Sequence, residues 1–346
     1  MKKIVDTWYG DTAISWLKPV SAIFSFLSKS RRNRYLTGKK KAYRTSAPLI
    51  VVGNITIGGT GKTPLIVYLA RQLLHAGYQP GIISRGYGSK APSYPFSVNI
   101  DTPVKHSGDE ALLIARNTEC PVVIGADRSA AAKSLEQHHD CNVILSDDGM
   151  QHYALARDIE IAVVDGLRGF GNGELLPAGP LREKPERLDD VDYIIFNGES
   201  KLSFNKPNFV MTLKPRDLCH LLSGEVFPIQ YAIEGMAKSK VENQNVNKTA
   251  TIEKHKVHAV AGIGNPERFF SSLCDCGFDI ITHVFDDHHE YTLQDIIFDD
   301  EREVIMTEKD AMKCMDFSRK TDWYLRVDAI INKNFIDSLL AQLKNL

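Results

Sequence analysis

The sequence has few cysteines and no cysteine pattern that would bind zinc or staple a small domain. Its six cysteines are scattered, none forms a CxxC pair, and one residue separates Cys274 from Cys276, a spacing too tight for a zinc knuckle. A disulfide scaffold is therefore disfavoured, and reduced thiols in a cytosolic protein fit best.

Long apolar runs are lacking too. Residues 20–27 form an apolar stretch, but it is far short of the roughly 20 apolar residues that span a bilayer, and no small-residue cleavage site of a signal peptide ends it. Acidic residues are absent between Thr12 and Pro48, where lysine and arginine are frequent. An aromatic-rich apolar segment followed by a basic cluster is typical of a helix in a membrane interface. A helix packed on its own domain is the alternative.

The remaining composition is that of a globular enzyme. The chain has 346 residues, of which 43% are hydrophobic and 25% charged, and this length favours about two domains. The formal net charge is −1, so the molecule as a whole gives no case for nucleic-acid binding.

Short apolar runs alternate with helical periods from Pro48 onward. This alternation predicts an α/β fold with a P-loop NTPase-like core, a mostly parallel sheet and a second, smaller α/β lobe. Because the chain turns polar and irregular around residues 208–256, we place a boundary there. The predicted parts are a basic, membrane-associating segment (1–45), the P-loop core (46–228), a hairpin-like linker (229–256) and the smaller lobe (257–346).

The string GGTGKT at Gly58–Thr63 lies between a predicted strand and a predicted helix. In a P-loop, glycines let backbone amides surround phosphates, a lysine reaches the β- and γ-phosphates, and a hydroxyl binds Mg²⁺. Lys62 and Thr63 supply the last two groups, so ATP and Mg²⁺ are expected ligands. The usual first glycine is replaced by Thr56. The residues expected to contact the nucleotide are Thr56, Ile57, Gly58, Gly59, Thr60, Gly61, Lys62 and Thr63.

An acidic pair ends another predicted strand. Asp147 and Asp148 follow the apolar residues 143–145, and one of them can hold Mg²⁺ directly or through water. A turn or helix-capping role is the alternative, and the choice between the two aspartates stays open.

The guanine-recognition pattern Asn-Lys-x-Asp has its nearest counterpart at residues 307–310, where the spacing is wrong. ATP is therefore favoured over GTP.

Seven strings of this chain resemble those of one enzyme family, the tetraacyldisaccharide 4'-kinases that act in lipid A biosynthesis. The order of the strings is also similar, and Thr56 belongs to the family's own pattern. They are VGNITIGGTGKTP (52–64), SRGYG (84–88), GDEALLIA (108–115), DDGMQH (147–152), LLPAGPLRE (175–183), FDDHHEYT (285–292) and TEKDAMK (307–313).

The resemblance implies transfer of the ATP γ-phosphate to the 4'-hydroxyl of a tetraacylated disaccharide 1-phosphate, on the cytoplasmic face of the inner membrane. It places Arg182 on the γ-phosphate and Glu183 beside the metal, which Thr63 and Asp148 would also hold. An ordinary surface ion pair is the alternative for Arg182 and Glu183.

The resemblance also points to Asp109 as the catalytic base, with His288 as its partner from the smaller lobe. A helix cap for Asp109 and a plain turn for His288 are the alternatives. Arg85, Tyr87, Arg128 and His152 are expected to bind the disaccharide and its 1-phosphate, because guanidinium groups suit phosphate. The partners expected are thus the lipid substrate and the membrane surface, and no nucleic acid.

Three rival functions remain at this point. A P-loop ATPase or GTPase that acts as a switch or metallochaperone would hydrolyse nucleotide without labelling a lipid. A kinase of a soluble sugar would not need the N-terminal segment. A non-enzymatic membrane-binding module explains that segment but not the P-loop.

Overall fold

The computed structural model describes residues 7–10, 15–231 and 255–346 of the chain. Contacts divide the protein into two compact units. One unit consists of Met1–Thr212 together with Ala329–Leu346, and the other of Leu213–Asp328.

The first unit is built on a mostly parallel sheet. Its strands are β1 (Leu49–Gly53), β2 (Pro80–Ser84), β3 (Phe96–Val98), β4 (Val122–Ile124), β5 (Val143–Asp147), β6 (Ile159–Asp165), β7 (Tyr193–Asn197) and the beginning of β8 (Asn208–His220). They lie in the order β8-β7-β6-β1-β5-β2-β4-β3. The edge strand β3 is antiparallel to β4, while the other neighbouring pairs are parallel. The predicted fold class is therefore confirmed, and ligands of such sheets bind beyond the carboxyl ends of the strands.

Helices cover this sheet with their apolar sides inward. In α2 (Lys62–His75), Leu65, Leu69 and Leu73 are fully buried at a spacing of four residues, which is the repeat of one helix face. The helices of the first unit are α1 (Lys18–Leu36), α2 (Lys62–His75), α3 (Val104–Ser107), α4 (Asp109–Asn117), α5 (Arg128–His138) and, near the C-terminus, α8 (Lys333–Leu343).

The N-terminal helix α1 packs on the first unit along one side. Its buried Ser21 donates to Leu175 O at 2.8 Å and accepts from Ala178 N at 3.1 Å. Arg32 pairs with Asp190 at 2.6 Å. On this side, α1 therefore packs on its own domain, which is the alternative predicted for this segment. Among the described residues, no helix is long and apolar enough to cross a membrane.

The last helix, α8, belongs to the first unit although the sequence places it in the smaller lobe. Its Phe335 ring packs edge-on against Tyr193 of β7 at 5.6 Å between centroids, and Gln342 donates to Asp192 at 3.1 Å. The compact units thus differ from the predicted parts, because the chain returns to the first unit after residue 328. The four-part division itself stays a prediction.

The second unit contains four strands whose neighbouring pairs are parallel. Its strands are β10 (Lys256–Ala261), β11 (Asp279–Val284), β12 (Val304–Thr307) and β13 (Asp322–Ile331), in the order β11-β10-β12-β13. Helices α6 (Pro266–Asp275) and α7 (Glu308–Cys314) belong to this unit. Phe270, Leu273, Phe278 and Trp323 are prominent in its core.

One sequence prediction is wrong at the boundary. Residues from 208 onward read as polar and irregular, but β8 runs unbroken from Asn208 to His220, and β9 (Val226–Pro228) pairs antiparallel with its end. Its Arg216 is paired with two carboxylates, Asp217 at 2.6 Å and Asp328 at 3.0 Å. Most of the predicted linker at 229–256, including the hairpin or loop expected at 243–254, lies outside the described residues.

Candidate active site

The loop between β1 and α2 has the backbone of a phosphate-binding loop. It ends at Gly61, the N-cap of α2, whose φ of 96° is a left-handed conformation that favours glycine. A Cβ on Gly61 would lie 2.5 Å from the Nδ2 atom of Asn197, so a larger residue does not fit. Gly58 has a φ of 107°. Lys62 and Thr63 then open α2, whose first amide groups point toward the loop.

The first arm of the loop is held by a neighbouring segment. Ile57 N donates to Pro180 O at 2.8 Å, and Thr56 forms an antiparallel bridge with Leu181. This pairing explains why threonine can stand where P-loops usually have glycine, since the left-handed positions of this loop fall on the two glycines described above.

The acidic pair lies directly beside the loop. In the register of β1 and β5, Val52 is opposite Asp147, so Asp148 emerges next to the loop's start. Arg182 Nη1 donates to both oxygens of Asp148, at 3.0 and 2.9 Å, and Lys62 Nζ is 3.6 Å from Oδ1. Burial alone would raise the pKa of Asp148, but the two cations outweigh it and lower the pKa to about 2. Asp148 is therefore a fixed anion between two cations.

The pKa of Asp147 is shifted in the opposite direction from that of Asp148. Burial raises its pKa to about 7, with help from Glu110 and against the attraction of Lys62 and Arg128. Its Oδ2 accepts from Ser84 at 3.2 Å, while its buried Oδ1 has no hydrogen-bond partner. Such an oxygen is suited to a cation, because a buried acceptor left without a partner is costly.

Glu183 is buried in a polar network. Its Oε1 accepts from Gln151 at 2.9 Å and its Oε2 from Tyr153 at 2.6 Å, and Arg187 Nε lies 3.5 Å from Oε2. Arg187 in turn makes a short hydrogen bond to Glu160. The alternative of an ordinary surface ion pair does not describe this residue, because its carboxylate points into the protein.

The predicted metal ligands Thr63, Asp148 and Glu183 do not form a ready-made metal cluster. In the part of the chain that the structure describes, no three His, Cys, Asp or Glu side chains are grouped so that they could hold a metal by themselves. Mg²⁺ does not require such a group, since it is usually held by one or two carboxylates plus substrate phosphates. The hydroxyl of Thr63 and the unpartnered oxygen of Asp147 fit that chemistry.

Two of the four predicted substrate residues line an open cavity. Arg85 and Tyr87 follow β2 and border a cavity of about 410 Å³, together with Tyr94 and Asp127. Tyr87 is about half exposed. A charged group and aromatic rings at the rim suit a phosphorylated sugar.

The other two predicted substrate residues do not line this cavity. Arg128 is buried and donates to Gly125 O at 3.0 Å and Asp147 O at 3.2 Å, so it joins the ends of β4 and β5. Burial lowers its pKa to about 10. Burial and the charge of Arg128 lower the pKa of His152 to about 4. His152 Nε2 stands 3.9 Å from Asp127 Oδ1, beyond hydrogen-bond distance, and is buried without a hydrogen-bond partner.

Asp109 lies close to the cavity loop. It is the buried first residue of α4, and its Oδ1 accepts from Glu110 N at 2.8 Å. The N-cap is Gly108, so the predicted capping alternative falls on the preceding residue. A Cβ on Gly108 would lie 2.5 Å from Tyr87 O, which shows how tightly this turn packs on the loop after β2.

His288 lies in the second unit, in a turn after β11. Its φ is 62°, and its Nε2 is 3.3 Å from Lys309 Nζ and 3.9 Å from Asp287 Oδ1. Lys309 is a residue whose role the sequence did not reveal, although it stands within the string TEKDAMK. Because Asp109 and His288 belong to different units, their pairing stays a prediction.

Comparisons with known proteins agree over nearly the full chain. The family model described as Tetraacyldisaccharide-1-P 4'-kinase matches residues 13–344. A tetraacyldisaccharide 4'-kinase of Nitrosococcus oceani is 43% identical over 342 residues, which cover 99% of this chain and 94% of that protein. One of Pseudomonas syringae pv. tomato is 41% identical over 345 residues, covering 99% and 98%.

A solved structure has the same fold. LpxK from Aquifex aeolicus, crystallised in complex with ATP, superposes with a TM-score of 0.74 at 24% identity, and the match covers 95% of this chain and 98% of that one. The family resemblance of the sequence is thereby confirmed, and this chain belongs to the tetraacyldisaccharide-1-phosphate 4'-kinase family.

Proposed function

We propose that this enzyme transfers the γ-phosphate of ATP to the 4'-hydroxyl of tetraacyldisaccharide 1-phosphate. The observation that carries the proposal is the meeting of Lys62 and Arg182 on Asp148 at the mouth of a glycine-rich loop. Phosphoryl transfer needs cations where charge develops on the transferred group, and these two are already gathered there. The names of the relatives supply the acceptor.

Residues 56–63 would hold the triphosphate of ATP. The loop amides and Lys62 contact the phosphates, and Arg182 contacts the γ-phosphate. In the described structure, Asp148 pairs with both Lys62 and Arg182. Its carboxylate therefore takes the place of the negative charge of the phosphate. When ATP binds, the γ-phosphate competes for Lys62 and Arg182 and releases Asp148 from them.

Residues at the end of β5 would hold Mg²⁺ with the help of Thr63. When bound, Mg²⁺ neutralises charge on the β- and γ-phosphates. Asp147 offers an unpartnered oxygen, and Asp148 offers its carboxylate once Arg182 has turned to the phosphate. Glu183 would assist the metal site indirectly, because Tyr153 and Gln151 already donate hydrogen bonds to its carboxylate oxygens.

The acceptor sugar would enter beside the loop after β2. Arg85 and Tyr87 line the cavity there and are suited to the phosphorylated disaccharide. Asp109 takes the proton of the attacking 4'-hydroxyl, and His288 orients that carboxylate. Arg128 and His152 do not line that cavity, and their contact with the substrate stays a prediction.

The exposed side of α1 would lie in the inner membrane's cytoplasmic interface. Val20, Ile23 and Leu27 of α1 are exposed at helical spacing, and Trp16, in the turn just before the helix, is 77% exposed. The stripe faces away from the side that carries Ser21, and a basic cluster follows it. Apolar side chains flanked by lysine and arginine match an anionic bilayer surface that presents a lipid substrate.

Incubation with ATP labelled in its γ-phosphate and the lipid acceptor tests the function. Thin-layer separation is expected to show a labelled lipid with the wild type and none with Lys62→Ala, while Lys201→Ala, which removes an exposed cation outside the P-loop and the N-terminal segment, retains the product. Nucleotide hydrolysis without lipid labelling would instead support a switch ATPase. Labelling of a water-soluble disaccharide at the same rate would support a soluble-sugar kinase.

A further inference from the structure

The turn that carries His288 has a constrained backbone. His289 N donates to Asp286 O at 3.0 Å and closes a four-residue turn. Within it, His288 has a φ of 62°, in the left-handed region that residues with a Cβ rarely adopt. Such a conformation persists only where surrounding contacts determine it.

The start of α7 provides a rigid base next to this turn. Thr307 caps the helix by accepting from Asp310 N at 3.2 Å, and its hydroxyl donates to Asp310 Oδ2 at 2.6 Å. Gly262 N donates to the same carboxylate oxygen at 2.8 Å. Asp310 is fully buried, so these bonds fix the first turn of α7. Lys309 is the second residue of this helix, so its backbone belongs to the turn that these bonds fix.

Lys309 reaches from this base to the imidazole of His288. Its Nζ is 3.3 Å from His288 Nε2 and 3.4 Å from Asp287 Oδ1, and its side chain is largely shielded from solvent. A lysine ammonium has three donors and no acceptor. A hydrogen bond between the two nitrogens therefore requires that Nε2 of His288 carry the lone pair.

We propose that Lys309 is a positioning residue that holds neutral His288 in the tautomer protonated at Nδ1. The catalytic meaning of this inference rests on the proposed function, in which His288 orients Asp109. With the proton on Nδ1, that nitrogen can donate to a carboxylate. An unconstrained imidazole in water favours the opposite tautomer, whose Nδ1 carries a lone pair and cannot donate to a carboxylate.

Nitrogen NMR of the full-length, ¹⁵N-labelled protein tests the tautomer directly. Long-range proton–nitrogen spectra, recorded where the imidazole is neutral and assigned with His288→Gln, distinguish a protonated from an unprotonated ring nitrogen. We expect Nδ1 to be protonated in the wild type and in Lys309→Arg, and Nε2 in Lys309→Met. Lys256→Met, which removes a lysine paired with Asp279 at the other end of β10, is the matched control and should match the wild type.

Two results would overturn the proposal: a wild-type His288 protonated at Nε2, or an Nδ1-protonated ring that persists in Lys309→Met. Because methionine keeps the aliphatic stem, dispersed amide spectra are expected to show that this variant is folded.

Turnover is a separate measurement. Lys309→Met should lower kcat about 10-fold or more, as other wrong-tautomer variants do, with an unchanged KM for ATP. Full turnover in His288→Gln would contradict the proposed dyad and leave the NMR result intact.

Discussion

Single residues at the end of β5 show how one carboxylate can organise two cations. Asp148 sits in the left-handed region, with a φ of 47°, and bonds Arg182 through both oxygens. The positions of the P-loop and of the acidic pair could be predicted from the sequence. The pairing of Arg182 with Asp148 could not, because the residues are 34 positions apart and meet only when the loop after β6 folds back on the sheet.

Replacement of Arg182 by methionine tests its proposed contact with the γ-phosphate. We expect Arg182→Met to lower kcat by about 100-fold or more, because a lost arginine contact to the transferring phosphoryl group is worth about that much. ATP affinity should change far less. Steady-state kinetics and equilibrium ATP binding measure both quantities. An Arg182→Met enzyme with wild-type kcat would contradict the proposed role.

His152 makes stability depend on pH in a defined window. Its pKa falls from 6.5 to about 4 on folding, through burial and the charge of Arg128. The unfolded chain therefore binds the proton more readily, and the contribution of neutral His152 to stability is complete above pH 6.5 and is lost as the pH falls toward 4.

Denaturant unfolding of the wild type and His152→Gln between pH 4 and 7.5 measures this contribution. The free energy of unfolding of the wild type should fall relative to that of the variant as the medium is acidified through the window. The same comparison with Gln137→Ala, which replaces a neutral side chain at an exposed position of α5, should give a constant difference. A constant difference for His152→Gln as well would show that the ring is not held in its neutral form.

At the scale of elements, sequence patterns predicted the strands and helices with a clear apolar pattern and missed those in which polar and apolar residues are mixed. The apolar residues 143–145 lie in strand β5, and the P-loop string lies between strand β1 and the first turn of α2, as the sequence predicts. Strand β8 was missed because its polar residues are paired by contacts to β13 that adjacent positions do not reveal. Helix α1 packs on its own domain along one side and exposes apolar side chains on the other, where membrane binding stays a prediction.

Charges placed on the exposed side of α1 should weaken membrane binding. We expect Ile23→Glu with Leu27→Glu to reduce sedimentation with anionic phospholipid vesicles by about 10-fold or more, because two apolar contacts are lost and negative charge is added. The pair Leu74→Glu with Ile100→Glu, at exposed apolar positions outside α1, is the control. Equal losses for both pairs would show that α1 is not the membrane-binding element.

At the scale of the whole molecule, the predicted base and its partner belong to different compact units. Asp109 lies in the first unit and His288 in the second. Their roles came from family resemblance, since neither composition nor spacing links two residues so far apart in the chain. Sequence reasoning alone would have left both as turn and helix-start residues.

A double-mutant cycle tests whether these two residues act as a pair. Asp109→Ala and His288→Ala should each lose most turnover while ATP binding is retained. The double variant should be hardly slower than the slower single variant, since residues that act as a unit are not additive. Additive losses in log kcat would show that the two side chains contribute independently.

The chain passes between the two units within strands. Residues 212 and 213 lie inside β8, and residues 328 and 329 lie inside β13. In genetic terms, the second unit is an insertion within the first, and the last 18 residues complete the nucleotide-binding half. A fragment that stops before residue 257 would lack α8 and expose the rings of Tyr193 and Phe209 that Phe335 covers. The P-loop half of this enzyme is therefore not encoded by any single uninterrupted stretch of its gene.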